Sequence, residues 1–281
     1  MIDRTALALV LGGTGRTGSR VAESLASRGL WVRTAARSGA DVRFDWSDLD
    51  SYAPALSGAD RVYLVPPVMR TDYAPDVAAF LDEAQSAGVR HVTLLSAHGT
   101  EGAPSKLAPR AVELDLLGRE DLSTSILRPA WFMQNFTDLL KPVDGAIVLP
   151  TGDGVEAFVD AEDIAAVAVE TLVDPQSHNG AEYAITGPEA LGVAEVATIL
   201  GEAAGRSIAY VDFDRDAWVA AAVANGVPAE YGEVMRALTE TVASGRGARP
   251  TDVVEKITGR TPRSFSEFAR RSASVWQEDA R

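Results

Sequence analysis

Residues 7 to 18 read Leu-Ala-Leu-Val-Leu-Gly-Gly-Thr-Gly-Arg-Thr-Gly, an apolar strand that runs straight into four glycines. Glycine lacks a Cβ, so such a turn can adopt positive φ and its backbone can come close to a ligand. Two registers fit. Gly13, Gly15 and Gly18 satisfy G-x-G-x-x-G, and Gly12, Gly15 and Gly18 satisfy G-x-x-G-x-x-G. Either one feeds a helix start, with Val21, Leu25 and Ala26 on one face before Gly29. Free N–H groups and the helix dipole at such a start favour a pyrophosphate. A second apolar run, Leu30 to Ala36, completes a βαβ unit of the length dinucleotide-binding folds use. Glycines in this pattern also serve as a tight structural turn; the strand before them and the helix after them are what point to a dinucleotide.

The end of the second strand bears on which dinucleotide. NAD-binding units commonly carry an acidic residue about 20 residues past the glycines, bonded to the ribose 2′-OH. This chain has Thr34-Ala35-Ala36-Arg37-Ser38 there, with no carboxylate. Arg37 offers a planar, permanently charged fork suited to a phosphate, and Ser38 adds a hydroxyl. Arg16, inside the glycine loop with Thr14 and Thr17, is placed to flank the same group. The expected cofactor is therefore NADP(H) rather than NAD(H). The competing reading leaves Arg37 a solvated surface charge. Asp45 and Trp46, just after a presumed third strand, are placed to border the adenine, although Trp46 also suits packing at the sheet edge.

At 281 residues the chain is long enough for a large domain, or a core with a smaller second lobe. Hydrophobic residues make up 46%, which allows a sizeable core. Lys plus Arg is 26 and Asp plus Glu is 40, giving −14, so the electrostatic footprint of a nucleic-acid binder is missing. The chain has no cysteine, which excludes disulfides, thiolate nucleophiles and Cys-ligated metals and suits the cytoplasm. The run Ala6 to Leu11 ends in the glycine loop, not at a small-residue cleavage site, and so reads as a strand. No stretch approaches the roughly 18 uninterrupted apolar residues of a membrane span. The expectation is a cytoplasmic protein, monomer or homodimer, acting on a small-molecule substrate, with no metal, nucleic-acid or membrane partner.

Strands and helices alternate through the first half. Arg61 to Val65 is a short apolar run stopped by Pro66 and Pro67; Tyr73 to Ala87 reads as a helix ending at Gly88. His91 to Ser96 and Ser125 to Leu127 read as strands, the latter ending at Arg128-Pro129. This alternation predicts a parallel sheet with helices on both faces, whose ligands bind beyond the carboxyl ends of the strands. Val65, Pro66, Pro67, Ser96, Ala97, His98 and Pro129 are then expected along one cleft with the glycine loop. Beyond about residue 140 the rhythm changes. Ile147 to Leu149, Glu182 to Ile185 and Ile208 to Val211 read as short strands; Asp160 to Leu172 and Val193 to Ala204 read as helices. After Asp214 the chain reads as helical, broken at Gly226 to Pro228, Gly245 to Pro250 and Gly259 to Pro262. The predicted fold class is α/β: a Rossmann-type doubly wound parallel sheet over 1–145 and a smaller mixed, mainly helical lobe over 146–281. Part of 146–185 is expected to return to the sheet.

These residues resemble the NmrA-like atypical short-chain dehydrogenase/reductases over nearly the whole chain. The resemblance rests on Gly12 to Gly18, Val65-Pro66-Pro67, Leu94-Leu95-Ser96-Ala97 and, most specifically, Arg128-Pro129-Ala130-Trp131-Phe132-Met133-Gln134-Asn135-Phe136. Later echoes are Phe158-Val159-Asp160, Asp163-Ile164-Ala165, Thr186-Gly187-Pro188-Glu189 and Glu267-Phe268-Ala269. Within the family the chain looks most like bacterial relatives of ergot-alkaloid reductases, and more distantly like NADPH quinone reductases and azoreductases. The resemblance implies NADP(H). It also implies that the segment after the Arg-Pro pair lies along the nicotinamide, which makes Trp131, Phe132 and Asn135 cofactor or substrate contacts. Core packing is the competing reading for Trp131 and Phe132.

The chain departs from ordinary short-chain dehydrogenases at the Tyr-x-x-x-Lys pair, whose tyrosine passes a proton to the carbonyl oxygen. Its tyrosines are 52, 63, 73, 183, 210 and 231, and the residue four before Lys106 is Gly102. Two functions stay open. One is a reductase of a quinone, an iminium or a similar acceptor that needs little acid catalysis, with Ser96, His98 and Asn135 as candidate polar groups. The other is a non-catalytic NADP(H)-binding regulator.

Overall fold

The computed structural model describes residues 6–277. In chain order the first elements are β1 (Leu7–Leu11), α1 (Gly18–Ser27), β2 (Trp31–Ala36), β3 (Val42–Arg43), α2 (Tyr52–Leu56) and β4 (Arg61–Leu64). They are followed by α3 (Ala74–Ser86), β5 (His91–Leu95), α4 (Ala108–Leu117) and β6 (Ser123–Pro129). Then come β7 (Ala146–Val148), β8 (Val155–Glu156), α5 (Ala161–Val173), β9 (Ala181–Ile185), β10 (Leu191–Gly192), α6 (Val193–Ala204) and β11 (Ala209–Val211). The chain ends in α7 (Arg215–Ala224), α8 (Ala229–Ala243), α9 (Val253–Thr258), α10 (Phe265–Arg271) and α11 (Ser274–Gln277).

Two compact units emerge. The first takes the chain up to Pro129, then Ala161–Ile185 and Lys256–Gly259; the second takes Ala130–Asp160, Thr186–Glu255 and the chain from Arg260. Reading the change of rhythm places the division at 145/146, with part of 146–185 expected to return to the sheet. The contacts instead pass 130–160 to the second unit and 161–185 to the first, which brings β9 into the sheet.

The first unit is built on a seven-stranded sheet in the order β3-β2-β1-β4-β5-β6-β9, with every adjacent pair parallel. Order reverses between β1 and β4, the switch point where doubly wound sheets open a crevice beyond their carboxyl ends. β1 is apolar throughout because it is central and covered on both faces; Ala8, Leu9 and Val10 have no exposed surface. α1 turns Val21, Ala22 and Leu25 inward, and α3 turns Val77, Phe80, Leu81 and Ala84 inward, each at the spacing of one helical face. Burial of a side chain such as Phe80 contributes about 1.5–3 kcal/mol relative to exposure. The presumed third strand is only the pair Val42–Arg43, at the sheet edge. On β5, buried His91 bonds Ser123 Oγ at 2.9 Å and Thr93 Oγ1 at 3.0 Å. Burial, then the Arg61 and His178 charges, push its pKa down to about 3, so it stays neutral.

The second unit has its own core of Met133, Phe136, Ile147, Leu149, Phe158, Leu191, Val196, Leu200, Phe265, Phe268 and Trp276. It holds two small sheets, β10 antiparallel to β8 and β11 parallel to β7, together with α6 to α8, α10 and α11. Trp276, fully buried, donates its indole N–H to the Phe136 carbonyl at 2.8 Å. Among the described residues no helix is long and apolar enough to cross a membrane.

Candidate cofactor site and the charged strand ends

The four glycines of the first turn answer to different constraints. Gly12 takes φ +64, in the left-handed region, with Val65 beside it. A Cβ on Gly13 would lie 2.6 Å from Thr34 Cβ, and one on Gly18 would lie 2.2 Å from the Gly12 carbonyl oxygen. Both would collide, so these two positions serve the packing of loop and helix onto the sheet. Gly15 differs. It is exposed, and a Cβ there meets only the Gly12 carbonyl oxygen at 3.1 Å. Protein packing leaves its outer side open, as close approach of a phosphate requires. Contacts with Thr34 and the Gly12 carbonyl thus give each glycine its own role, with Gly15 and Gly18 common to both sequence registers.

All strands of the sheet run parallel, so the loops after them share one edge. Thr14, exposed, lies by Gly39 of the loop after β2, and Val65 lies by Gly12. Thr17, buried, is the N-cap residue of α1 and makes no side-chain cap, so it does not occupy the first-turn N–H groups. Arg16 is half-buried, and its carbonyl accepts from Arg20 at 2.6 Å. Arg37 and Ser38 are exposed. Among the described residues the Arg37 guanidinium has no hydrogen bond or ion pair. Asp45 accepts from the Ser47 hydroxyl and N–H, which, with the charges of Arg43 and Arg37, hold its carboxyl below the usual range. Trp46 joins Phe44, Tyr52 and Phe80 in an aromatic cluster and donates its indole N–H to the Val65 carbonyl at 3.3 Å. The loop position after β3 and the packing role read from sequence thus coincide in this residue. Pro66 and Pro67, which follow Val65 in sequence, are half-buried.

At the other end of the same edge, the chain stays paired to β6 past the end of β5. Ser96 N–H donates to Leu127 at 2.8 Å, and His98 N–H donates to Pro129 at 2.9 Å. Ala97 is exposed, and His98 is half-buried. Ser96 Oγ lies 2.6 Å from Oε1 of Glu113, a residue of α4 with no exposed surface. Glu113 also accepts from Arg128 Nε and Nη2, each at 2.8 Å, and from Arg110 Nη1 at 2.8 Å. Burial opposes ionisation of Glu113, but the bonds from Arg128, Ser96 and Arg110 outweigh it and hold the carboxyl below its ordinary range. Arg128, itself buried, pairs further with Glu182 and, at 3.5 Å, with Glu101. Glu113 was not singled out in the sequence. α4 reads Ala-Pro-Arg-Ala-Val-Glu-Leu-Asp-Leu-Leu, without a tyrosine, and its available signal was Arg110 three residues before a glutamate.

In the second unit, Trp131 and Phe132 are half-buried and pinned through the backbone. Val159 N–H donates to Trp131 and Met133 N–H donates to Val159, both at 2.9 Å, and Phe132 bridges Val159. Trp131 packs on the Phe136 core, so packing accounts for part of its surface. A short 3₁₀ turn, Met133–Thr137, carries half-buried Asn135, and Gln134 donates to fully buried Asp160 at 2.8 Å. Beneath Trp131 lies Glu156, a second glutamate not singled out in the sequence. It is 1% exposed, accepts the Trp131 N–H at 3.4 Å, and has no hydrogen-bond partner at Oε2 among the described residues. Burial pushes its pKa up to about 7 against the lowering effect of that one N–H.

A family model described as NAD(P)H-binding matches residues 12–175. The uncharacterized oxidoreductase YesF of Bacillus subtilis is 40% identical, over 95% of this chain and 96% of its own. The NAD(P)H azoreductase of Xenophilus azovorans and the agroclavine dehydrogenase of Claviceps fusiformis are each 32% identical, over 95% of this chain and 98% of theirs. The solved structure of NmrA, a negative transcriptional regulator in complex with NAD, superposes with a TM-score of 0.75 at 19% identity, over 99% of this chain and 98% of that one. The chain has the fold of NmrA and belongs to the NAD(P)H-binding oxidoreductase family.

Proposed function

We propose that the protein is an NADPH-dependent reductase that transfers hydride directly to a small organic acceptor, a quinone, an iminium or a similar group that needs little acid catalysis. The observation that carries this is the open strand end at β1 and β2. Gly15 is exposed, Thr34 to Ser38 at the end of β2 include no carboxylate, and Arg37 is exposed with no bonded partner among the described residues. Gly12, Thr14, Gly15, Arg16, Thr17 and Gly18 would hold the pyrophosphate; Arg37 and Ser38 would hold the 2′-phosphate. Asp45 and Trp46 would border the adenine, with Val65, Pro66, Pro67, Ser96, Ala97 and Pro129 toward the nicotinamide. By family resemblance Trp131, Phe132 and Asn135 are the substrate-side contacts. When bound, the cofactor supplies the hydride, while the chain orients it and excludes water. The tyrosine-free α4 favours acceptors that form no strongly basic alkoxide. The names of the azoreductase and dehydrogenase relatives support a reductase.

The test is turnover. Purified protein should oxidise NADPH, and NADH more slowly, in the presence of some quinone or cyclic iminium. Tight NADPH binding without turnover across a broad panel would favour the second reading, a regulator that binds NADP(H), which the likeness to NmrA suggests. Gly15→Val should abolish binding of both cofactors, losing at least about 100-fold in Kd while the melting temperature holds, because the added side chain fills the phosphate approach. Retained affinity would make the loop purely structural. Arg37→Ala should weaken NADPH by about 30–100-fold, the worth of a charge-assisted contact, and NADH by far less. Equal losses would remove the NADP(H) assignment.

A further inference from the structure

The surroundings of Ser96 fix the direction of its hydrogen bond. Glu113 is bonded by two guanidiniums and is held ionised, so it has no proton to give. At 2.6 Å the Ser96 hydroxyl must therefore be the donor, and its only proton is engaged. The Ser96 N–H is engaged as well, on the Leu127 carbonyl at 2.8 Å. What this half-buried residue has left for a ligand is the lone pairs of Oγ. The charge around it points the same way: three carboxylates, Glu101, Glu113 and Glu182, face the two guanidiniums of Arg110 and Arg128.

We propose that Ser96 is a specificity-determining residue that works only as a hydrogen-bond acceptor, so that the site favours ligands bearing an N–H donor, above all a protonated nitrogen, over ligands presenting a bare carbonyl oxygen. The assignment rests on the reductase reading of the same strand ends. A hydroxyl that cannot donate gives nothing to a developing oxyanion, which needs donors aimed at it. A cationic N–H gains a charge-assisted bond from the same atom.

The experiment compares two matched pairs of ligands. Turnover with NADPH is measured as kcat/KM for an N-protonated cyclic imine and for a benzoquinone. Independently of turnover, calorimetry on the NADP+-saturated protein gives Kd for protonated piperidine and for cyclohexanone. The wild type should prefer the cation in each pair. Ser96→Ala should lower the cation-to-carbonyl ratio by about tenfold, the worth of one charge-assisted hydrogen bond, and Ser96→Thr, which keeps the hydroxyl, should restore most of it. Glu113→Gln, where it folds, removes a negative charge beside Ser96 and should lower the cation-to-carbonyl ratio; where it does not fold, the two Ser96 variants decide. An unchanged ratio in Ser96→Ala, or a wild type that prefers the carbonyl ligand, overturns the proposal. A binding ratio that collapses in Ser96→Ala without turnover of any acceptor supports it and sinks the reductase reading instead.

Discussion

Glu113 in the first unit and Glu156 in the second are the same side chain at nearly the same burial, 0% and 1% exposed. Their environments otherwise have little in common. Glu113 accepts from two arginines and a serine, which hold its carboxyl below its ordinary range despite burial. Glu156 has one long bond from a backbone N–H, and its second oxygen packs against Gly247, where a Cβ would come within 2.0 Å of it. Its carboxyl titrates near neutrality, at about 7. Depth of burial therefore does not decide the charge of a carboxyl here; the donors around it do. The first unit carries a fixed charge at its strand ends. The second carries a charge that comes and goes with pH.

The largest effect expected from this contrast is on the paired side. Glu113→Ala leaves Arg128 buried without its main partner and should lower the unfolding free energy by about 3–5 kcal/mol in urea titrations. A loss below about 1 kcal/mol would mean that water replaces the carboxylate and that the network is not dry. Glu156→Gln should act in the opposite direction, and only at high pH. Its pKa is raised in the folded state, from 4.5 to about 7, so its contribution is full below pH 4.5 and is lost as pH rises through 7. The difference in stability between variant and wild type should therefore shift in favour of the variant by about 2 kcal/mol from pH 5 to pH 8. A constant difference would show that Glu156 is ionised throughout. The smallest effect is that of Arg110→Ala, about 1 kcal/mol, because Arg128 and Ser96 still satisfy Glu113. A loss as large as that of Glu113→Ala would make Arg110 the principal partner and Arg128 secondary.

The parallel sheet could be read from the chain because buried parallel strands leave apolar runs and their crossovers leave helical periods, as β1, α3 and α6 do. The glycine turn was equally plain, although periodicity could not choose its register. That choice depends on contacts with Thr34 and the Gly12 carbonyl, which are set by tertiary packing. The glutamates were not visible, for a physical reason. On α4 the usual pattern holds for Val112 and Leu116 but fails beside them: Leu114 is 41% exposed and Leu117 39%, while Glu113 is fully buried. An acid on a helix reads as a solvated face, and its burial is made tolerable chiefly by Arg128, which follows it by fifteen residues, with Ser96 and Arg110. Glu156 lies on a two-residue strand, too short to leave a period at all. The small β7–β11 and β8–β10 pairs hide in the same way, since their partners are tens of residues apart.

The path of the chain through the two units has a consequence for their separability. It changes unit after Pro129, Asp160, Ile185, Glu255 and Gly259, so neither unit is a continuous piece of sequence. A protease that nicks any one loop therefore releases no intact domain, and no truncation yields the glycine-turn unit whole. Neither half can be exchanged as a cassette by a single crossover in the gene. Variation in this molecule has to come side chain by side chain.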